Sequence, residues 1–294
     1  MIRVALAGLA CARLALGAEP PAASAPAVVG LDHVPIAVAD LDAASERYRA
    51  LGFTLKPGRP HDNGIRNQHA KFADGTELEL ITTAEARDPL TTTYRRHLAR
   101  GDGPAFLALY APSLEQAAAR LEAARLPHAR HGPYVDVGDQ NGLGYVFLGP
   151  RNASPTDRPE HFAHANGATS LIAVWLAGDL AAERRLLETL GARVATADLR
   201  VPQPATAPVA HFAEGDVVLL PRERQLVPGR RIVGATLAVR DLAVAEAALA
   251  RGGLPSPQRT ATPQGTSVFL PPAQTHGLWL ELRQAAPQSR RRAR

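Results

Sequence analysis

The residues best equipped for chemistry in this chain gather in one early stretch. His33 stands near the start of LDHVPIAV (Leu31 to Val38), Asn67, His69 and Lys71 alternate in NQHAKF, and Glu77 and Glu79 alternate with Leu78 and Leu80 in ELELI. Side chains alternate across a strand, so His33, Pro35 and Ala37 share a face opposite Val34, Ile36 and Val38. The same alternation sets Asn67, His69 and Lys71 opposite Gln68, Ala70 and Phe72, and Glu77 and Glu79 opposite their leucines. With the aliphatic faces packed under a helix, six polar groups meet on one concave surface. Burying them is costly unless they are paired or bound to something. An imidazole nitrogen beside a carboxylate oxygen suits a borderline divalent ion such as Zn, Ni, Co, Mn or Fe(II). A neighbouring carboxylate suits proton transfer. The same groups also suit a self-satisfied polar cup in which His33 bonds Glu79, and the residues alone leave these readings open.

The elements that must position these groups follow a simple grammar. The strand at Leu31 runs into an amphipathic helix that starts at Asp40 and ends at Leu51-Gly52-Phe53, and further strands follow to Ile81, giving a βαβββ order. The pattern recurs from Ala105 to Leu148, from Thr169 to Leu220 and from Ile232 to Leu282. Ser113, Asp179 and Asp241 mark the later helix starts, and Gly191 and Gly252 mark two later ends. One such module cannot bury the apolar face of its own sheet, whereas two joined side by side curl into a cup with helices outside. The chain therefore predicts an α+β fold of four βαβββ modules paired into two cup-shaped half-barrels. The first domain spans 28–150 and the second 169–283, joined by a Pro-, Asn- and Gly-rich linker at 151–168. The proline-rich run Ala197 to Pro208 reads as a loop or lid inside the second half.

Composition narrows the function classes. Apolar content is 46% and charged content 21%, ordinary for a globular protein. The formal net charge is +5, and four arginines sit in a basic tail, 284–294, that reads as disordered. No basic stripe interleaved with aromatics appears, so a nucleic-acid partner is not expected. Cys11 is the single cysteine, which rules out an intrachain disulfide and a cysteine-based zinc site. Residues 1–27 form a leader with Arg3, an apolar run and then small residues, resembling a secretory signal peptide cleaved near Ala18 or Ala27. Export to the periplasm follows if it is one, and a cytoplasmic location if it is not. No other run approaches the roughly 20 apolar residues that span a membrane. Phosphate-loop, dinucleotide-fingerprint and GxSxG signatures are missing.

LDHVPIAV with DLDAA, GIRNQHAKFADGTELELI, GDGPAFLAL and RPEHFAHANGA fall in order from Leu31 to Ala168. On these motifs the chain resembles the vicinal oxygen chelate superfamily (glyoxalase I, extradiol dioxygenases, fosfomycin- and bleomycin-resistance proteins), and within it the bacterial glyoxalase-like domain proteins. The resemblance implies that His33 and Glu79, as first-strand His and last-strand Glu, ligate a divalent metal, with Glu77, His69 and Asn67 as adjacent acid, base or orienting groups. Partner modules depart from that pattern: aligned positions hold Phe106 and Phe147 in the second, Ile172 and Leu219 in the third, and Gly234 with Glu281 in the fourth. Phe106 and Phe147, together with His164 and Asn166 of the HFAHANGA motif, are then expected to contact substrate. The implied function is isomerase, lyase or dioxygenase chemistry on a small carbonyl- or diol-containing molecule. The alternative is non-catalytic sequestration of a small molecule, as in resistance-type relatives. The second half would serve as a scaffold or a homodimer surface.

Overall fold

The computed structural model describes residues 26–139, 142–255 and 257–286; the expected leader and Cys11 lie outside the described residues, as does most of the basic tail. The first module comprises β1 (Gly30–Ala37), α1 (Leu41–Ala50), β2 (Lys56–Pro57), β3 (Ile65–Lys71) and β4 (Glu77–Thr83). Helix α2 (Pro89–Leu98) and the short β5 (Gly103–Pro104) lead to the second module: β6 (Leu107–Tyr110), α3 (Leu114–Ala123), β7 (His128–His131), β8 (Tyr134–Val137) and β9 (Val146–Gly149). The third comprises β10 (Ala168–Ala177), α4 (Ala181–Leu190), β11 (Arg193–Arg200), β12 (Pro204–His211) and β13 (Asp216–Leu220). The fourth comprises β14 (Ile232–Val239), α5 (Leu242–Arg251), β15 (Thr260–Thr262), β16 (Gly265–Leu270) and β17 (Trp279–Ala285).

Each pair of modules forms one sheet. The first runs β2-β3-β4-β1-β6-β9-β8-β7, with β5 on β1, and the second runs β11-β12-β13-β10-β14-β17-β16-β15. Within each module the first and last strands are parallel, and the two modules join antiparallel through β1 and β6 or through β10 and β14. The four-module, two-cup architecture is thus present. The aliphatic faces of both sheets share one core: Val34, Ile36, Leu78 and Leu80 belong to the same buried cluster as Val174, Leu237 and Leu280. Helix α1 packs against α5, and α3 against α4, so the helices tie the halves together. Each concave face keeps a separate cluster of its own.

Asp40, Ser113 and Asp241 cap their helices through side-chain oxygens, as their types dictate. The third helix differs from expectation: Leu180, not Asp179, is the N-cap, and it makes no side-chain cap bond. Gly191 closes that helix in the left-handed region at φ 110°, whereas α5 reaches positive φ one residue beyond Gly252, at Gly253. Helix α2 lies outside the βαβββ grammar, although Asp88, Pro89 and Thr91 spell its capping box. The expected loop at Ala197 to Pro208 is instead the hairpin of β11 and β12, in which Thr196 pairs with Pro208. Strand β17 continues through Gln284 and Ala285, so these residues belong to the sheet rather than to the tail. Residues 151–168 do not form a free linker either: Pro159–Phe162 make a 3-10 turn, and several side chains enter the first half.

Candidate active site

Strand register builds the site. His33 pairs with Glu77 and Pro35 with Glu79 across β1 and β4, and β3 sets His69 opposite Glu79 and Lys71 opposite Glu77. All six expected polar residues therefore meet in the first cup. His33 Nε2 lies 3.6 Å from Glu79 Oε2, beyond a direct hydrogen bond. Asn67 Nδ2 donates to Glu79 Oε1 at 2.6 Å, and His69 Nδ1 meets Glu77 Oε1 at 3.0 Å. Lys71 Nζ lies 3.8 Å from Glu77 Oε2. The His33, Glu79 and His69 side chains are 10%, 9% and 10% exposed while Glu77 is sealed, so a narrow opening reaches the first three from solvent.

Asp32 is the site residue that strict alternation hides. Pairing of β1 with β6 shifts register between Leu31 and His33, which makes Asp32 the extra residue of a β-bulge. The bulge lets Leu31 and Val34 both enter the helix-side core. It also brings Asp32 Oδ2 within 2.7 Å of His33 Nδ1. Burial, the largest single influence, pushes the His33 pKa down, but the Asp32 carboxylate and then Glu77 and Glu79 outweigh it and hold His33 up at about 9. His69 is raised in the same way, with burial opposed by its bond to Glu77; Glu77 is held low because His69 and His33 outweigh its burial.

The connector supplies a buttress that composition concealed. Asn152 Nδ2 donates to Glu77 Oε1 at 2.8 Å, and Asp157 receives Lys56 at 2.5 Å and Lys71 at 2.8 Å. Arg151 donates to the Leu31 carbonyl, lies 3.8 Å from Asp32 and pairs with Glu214 of the second half at 2.5 Å. Even so, Asp32 Oδ1, Asn67 Oδ1 and Glu77 Oε2 are buried without a hydrogen-bond partner among the described residues. Buried polar atoms are normally satisfied by protein or ordered water, so these three oxygens are acceptors with capacity to spare.

Aromatic rings form the apolar wall. Phe147 meets His33 edge-on at 5.5 Å between ring centroids, Tyr134 at 5.6 Å and Phe106 at 6.3 Å, and Phe106 meets Tyr94 at 5.2 Å. Phe106 and Phe147 thus line the cup. His164 and Asn166 do not. His164 is wedged between Phe53 and Phe72 on the core side, with Nδ1 accepting from Thr54 N and Nε2 at 2.9 Å from the Lys71 carbonyl. Asn166 donates to the Leu51 carbonyl and accepts from Ala168 N. Both ends of each side chain are committed to pinning the connector, so neither is available to a substrate. Their motif is structural because the connector must cross behind the sheet.

The expected ligands of a divalent ion meet only in part. His33 and Glu79 approach each other, but one Glu79 oxygen is held by Asn67, and the aligned positions of the second module are Phe106 and Phe147. No three His, Cys, Asp or Glu side chains among the described residues converge as a metal site would require. The donor set therefore does not fit a tight protein-bound ion.

The second cup has the same frame and a different lining. By register its counterparts of His33 and Glu79 are Ala173 and Val218, one residue away from the sequence alignment to Ile172 and Leu219. Trp175 fills the cup where a Cβ on Gly234 would fall 2.2 Å from its ring. Glu281 is fully satisfied by Thr236, Ser267 and a two-pronged pairing with Arg283.

Two cups of paired βαβββ modules are the fold of the vicinal oxygen chelate superfamily. The profile of the glyoxalase-like domain family matches residues 31–211, more than half of the chain, and the chain belongs to that family. Among solved structures, it is similar in fold to a xylose isomerase-like TIM barrel/4-hydroxyphenylpyruvate dioxygenase fusion protein (TM-score 0.66, 14% identity, 92% of this chain); this chain spans only 51% of that one. It is also similar to a mutant of 4-hydroxymandelate synthase from Streptomyces coelicolor (TM-score 0.61, 14% identity, covering 88% of this chain and 93% of that one). A variant of homoprotocatechuate 2,3-dioxygenase from B. fuscum matches with TM-score 0.61 and 15% identity, covering 92% of this chain and 76% of that one. None of the curated proteins compared matches the sequence. Such identities establish the fold alone.

Proposed function

We propose that the protein is an enzyme that moves a proton on a small carbonyl- or diol-containing molecule held in the first cup. The observation that carries this reading is the His33–Glu79 pair, 3.6 Å apart at a narrow opening, with Asp32 behind the imidazole and Asn67 behind the carboxylate. A cationic His33 donates from Nε2 to the substrate carbonyl oxygen. The Glu79 carboxylate accepts the proton from the hydroxyl-bearing carbon beside that carbonyl, giving an enediol, and returns it to the former carbonyl carbon while His33 takes a proton from the hydroxyl of the carbon that lost its hydrogen, which becomes the new carbonyl. Asp32 keeps Nδ1 engaged so that Nε2 faces the substrate. The His69–Glu77 pair polarises the far side, and Phe106 and Phe147 take the carbon skeleton. Membership of the glyoxalase-like family and the dioxygenases among the fold neighbours support a catalytic cup.

Solvent deuterium exchange tests this directly. The full chain is incubated in deuterated buffer with a panel of α-hydroxycarbonyl and α-ketoacid compounds and followed by proton NMR. At least one should lose its C–H signal with the native protein and retain it with Glu79→Gln. If every compound stays unexchanged, before and after incubation with divalent ions, the proton-transfer reading is rejected; a thermal shift from the same panel without exchange would indicate sequestration.

A further inference from the structure

A cavity of about 560 Å³ lies behind the Phe106 wall of the polar cup, between α2, residues 104–106, the loop near Asp139 and Tyr145, and the segment Gly229–Ile232 of the second half. Arg96, Arg100, Arg230 and Arg231 line it against one acid among the described residues, Asp139. We infer that this cavity is a binding site for a small multivalent anion, a phosphate- or carboxylate-bearing molecule held between the two halves.

The cations have few carboxylate partners. Arg230 is over nine-tenths buried and spends its terminal nitrogens on the carbonyls of His97, Gly101 and Asp102, which close the C-terminus of α2. None of those bonds is to a carboxylate, and its Nε is buried without a partner among the described residues. Arg100 likewise donates to a carbonyl, that of Pro228. Arg231 faces Glu183 at 3.2 Å. The nearby Asp102 carboxylate is taken up by His276 and the Ala39 amide. His97 Nε2, also lining the cavity, is buried without a hydrogen-bond partner among the described residues. Burial first, and then the charges of Arg230 and Arg100, push its imidazole down to about 4. Guanidinium forks match phosphate and carboxylate oxygens in two-pronged geometry. The volume suits a small molecule rather than a polymer.

Arg96 is the variant of choice because it is exposed on α2 and lines the cavity without building the fold, whereas Arg95, its exposed neighbour, does not line it. Isothermal titration of the full chain with inorganic phosphate, pyrophosphate and succinate separates the two anion chemistries. The expected result is one saturable site for at least one of them, weakened about tenfold or more by Arg96→Glu and unchanged by Arg95→Glu. No saturable heat with any of the three overturns the inference. So does equal weakening in both variants, which marks diffuse charge attraction, or weakening in neither. This test does not depend on proton transfer in the cup.

Discussion

The two cups share strand order and register and differ in what their concave faces carry. In the first, Asp32, Glu77 and Asn67 each leave a buried oxygen without a hydrogen-bond partner among the described residues. In the second, Trp175, Leu199, Val209, Val218 and Leu220 form a closed apolar cluster, and both oxygens of Glu281 are bonded. The same topology thus yields one face with spare hydrogen-bond acceptors and one whose central carboxylate is fully bonded by its own neighbours. Function in this fold resides in the lining and not in the frame.

The largest effect that would test this contrast is on turnover. Glu79→Gln should lower the exchange rate by about 10²–10⁴-fold with little change in unfolding midpoint, while Glu281→Gln should leave the rate unaltered. Equal losses from both would dissolve the distinction between the cups. Next in size, Trp175→Ala should cost about 3–5 kcal/mol in denaturant unfolding, because Trp175 fills the second cup against Gly234; the exchange rate per folded molecule should hold.

The pH dependence sharpens the comparison. His33 is raised from 6.5 to about 9, so its contribution to stability is complete below about 6.5 and is lost as pH rises through about 9. The exchange rate should fall over the same alkaline window, since the donor proton leaves there. Asp32→Asn removes the carboxylate that most raises His33 and should move that limb to lower pH, a shift measurable in a rate profile. The smallest effect is expected at the buttress. Asn152→Ala removes one bond to Glu77 and should cost about 1 kcal/mol in unfolding experiments, with no counterpart in the second cup.

Much of the first cup was legible because period-2 alternation is a local property. Val34, Ile36, Leu78 and Leu80 had to face the helices, and His33, Asn67, His69, Glu77 and Glu79 followed onto the other face. Asp32 escaped because a bulge breaks alternation, and its position depends on how β6 pairs with β1. Asn152, Asp157 and Arg151 escaped because a connector has no periodicity to read. His164 and Asn166 were assigned to substrate from a motif, yet their neighbours Thr54, Lys71 and Leu51 lie far away in sequence. The third-module counterparts were misread by one residue, since Ile172 and Ala173 are equally apolar and only strand pairing fixes the face.

By itself the sequence determined the four repeats, the helix caps at Asp40, Ser113 and Asp241, and the polar set on one face of the first sheet, because each of these is written in residue type and local spacing. Tertiary structure decided which carboxylate stands behind His33, which cup is filled by its own Trp175, and that Arg96 and Arg100 line one cavity with Arg230 and Arg231. Those outcomes depend on register, on bulges and on contacts between residues more than a hundred positions apart, which local spacing does not encode.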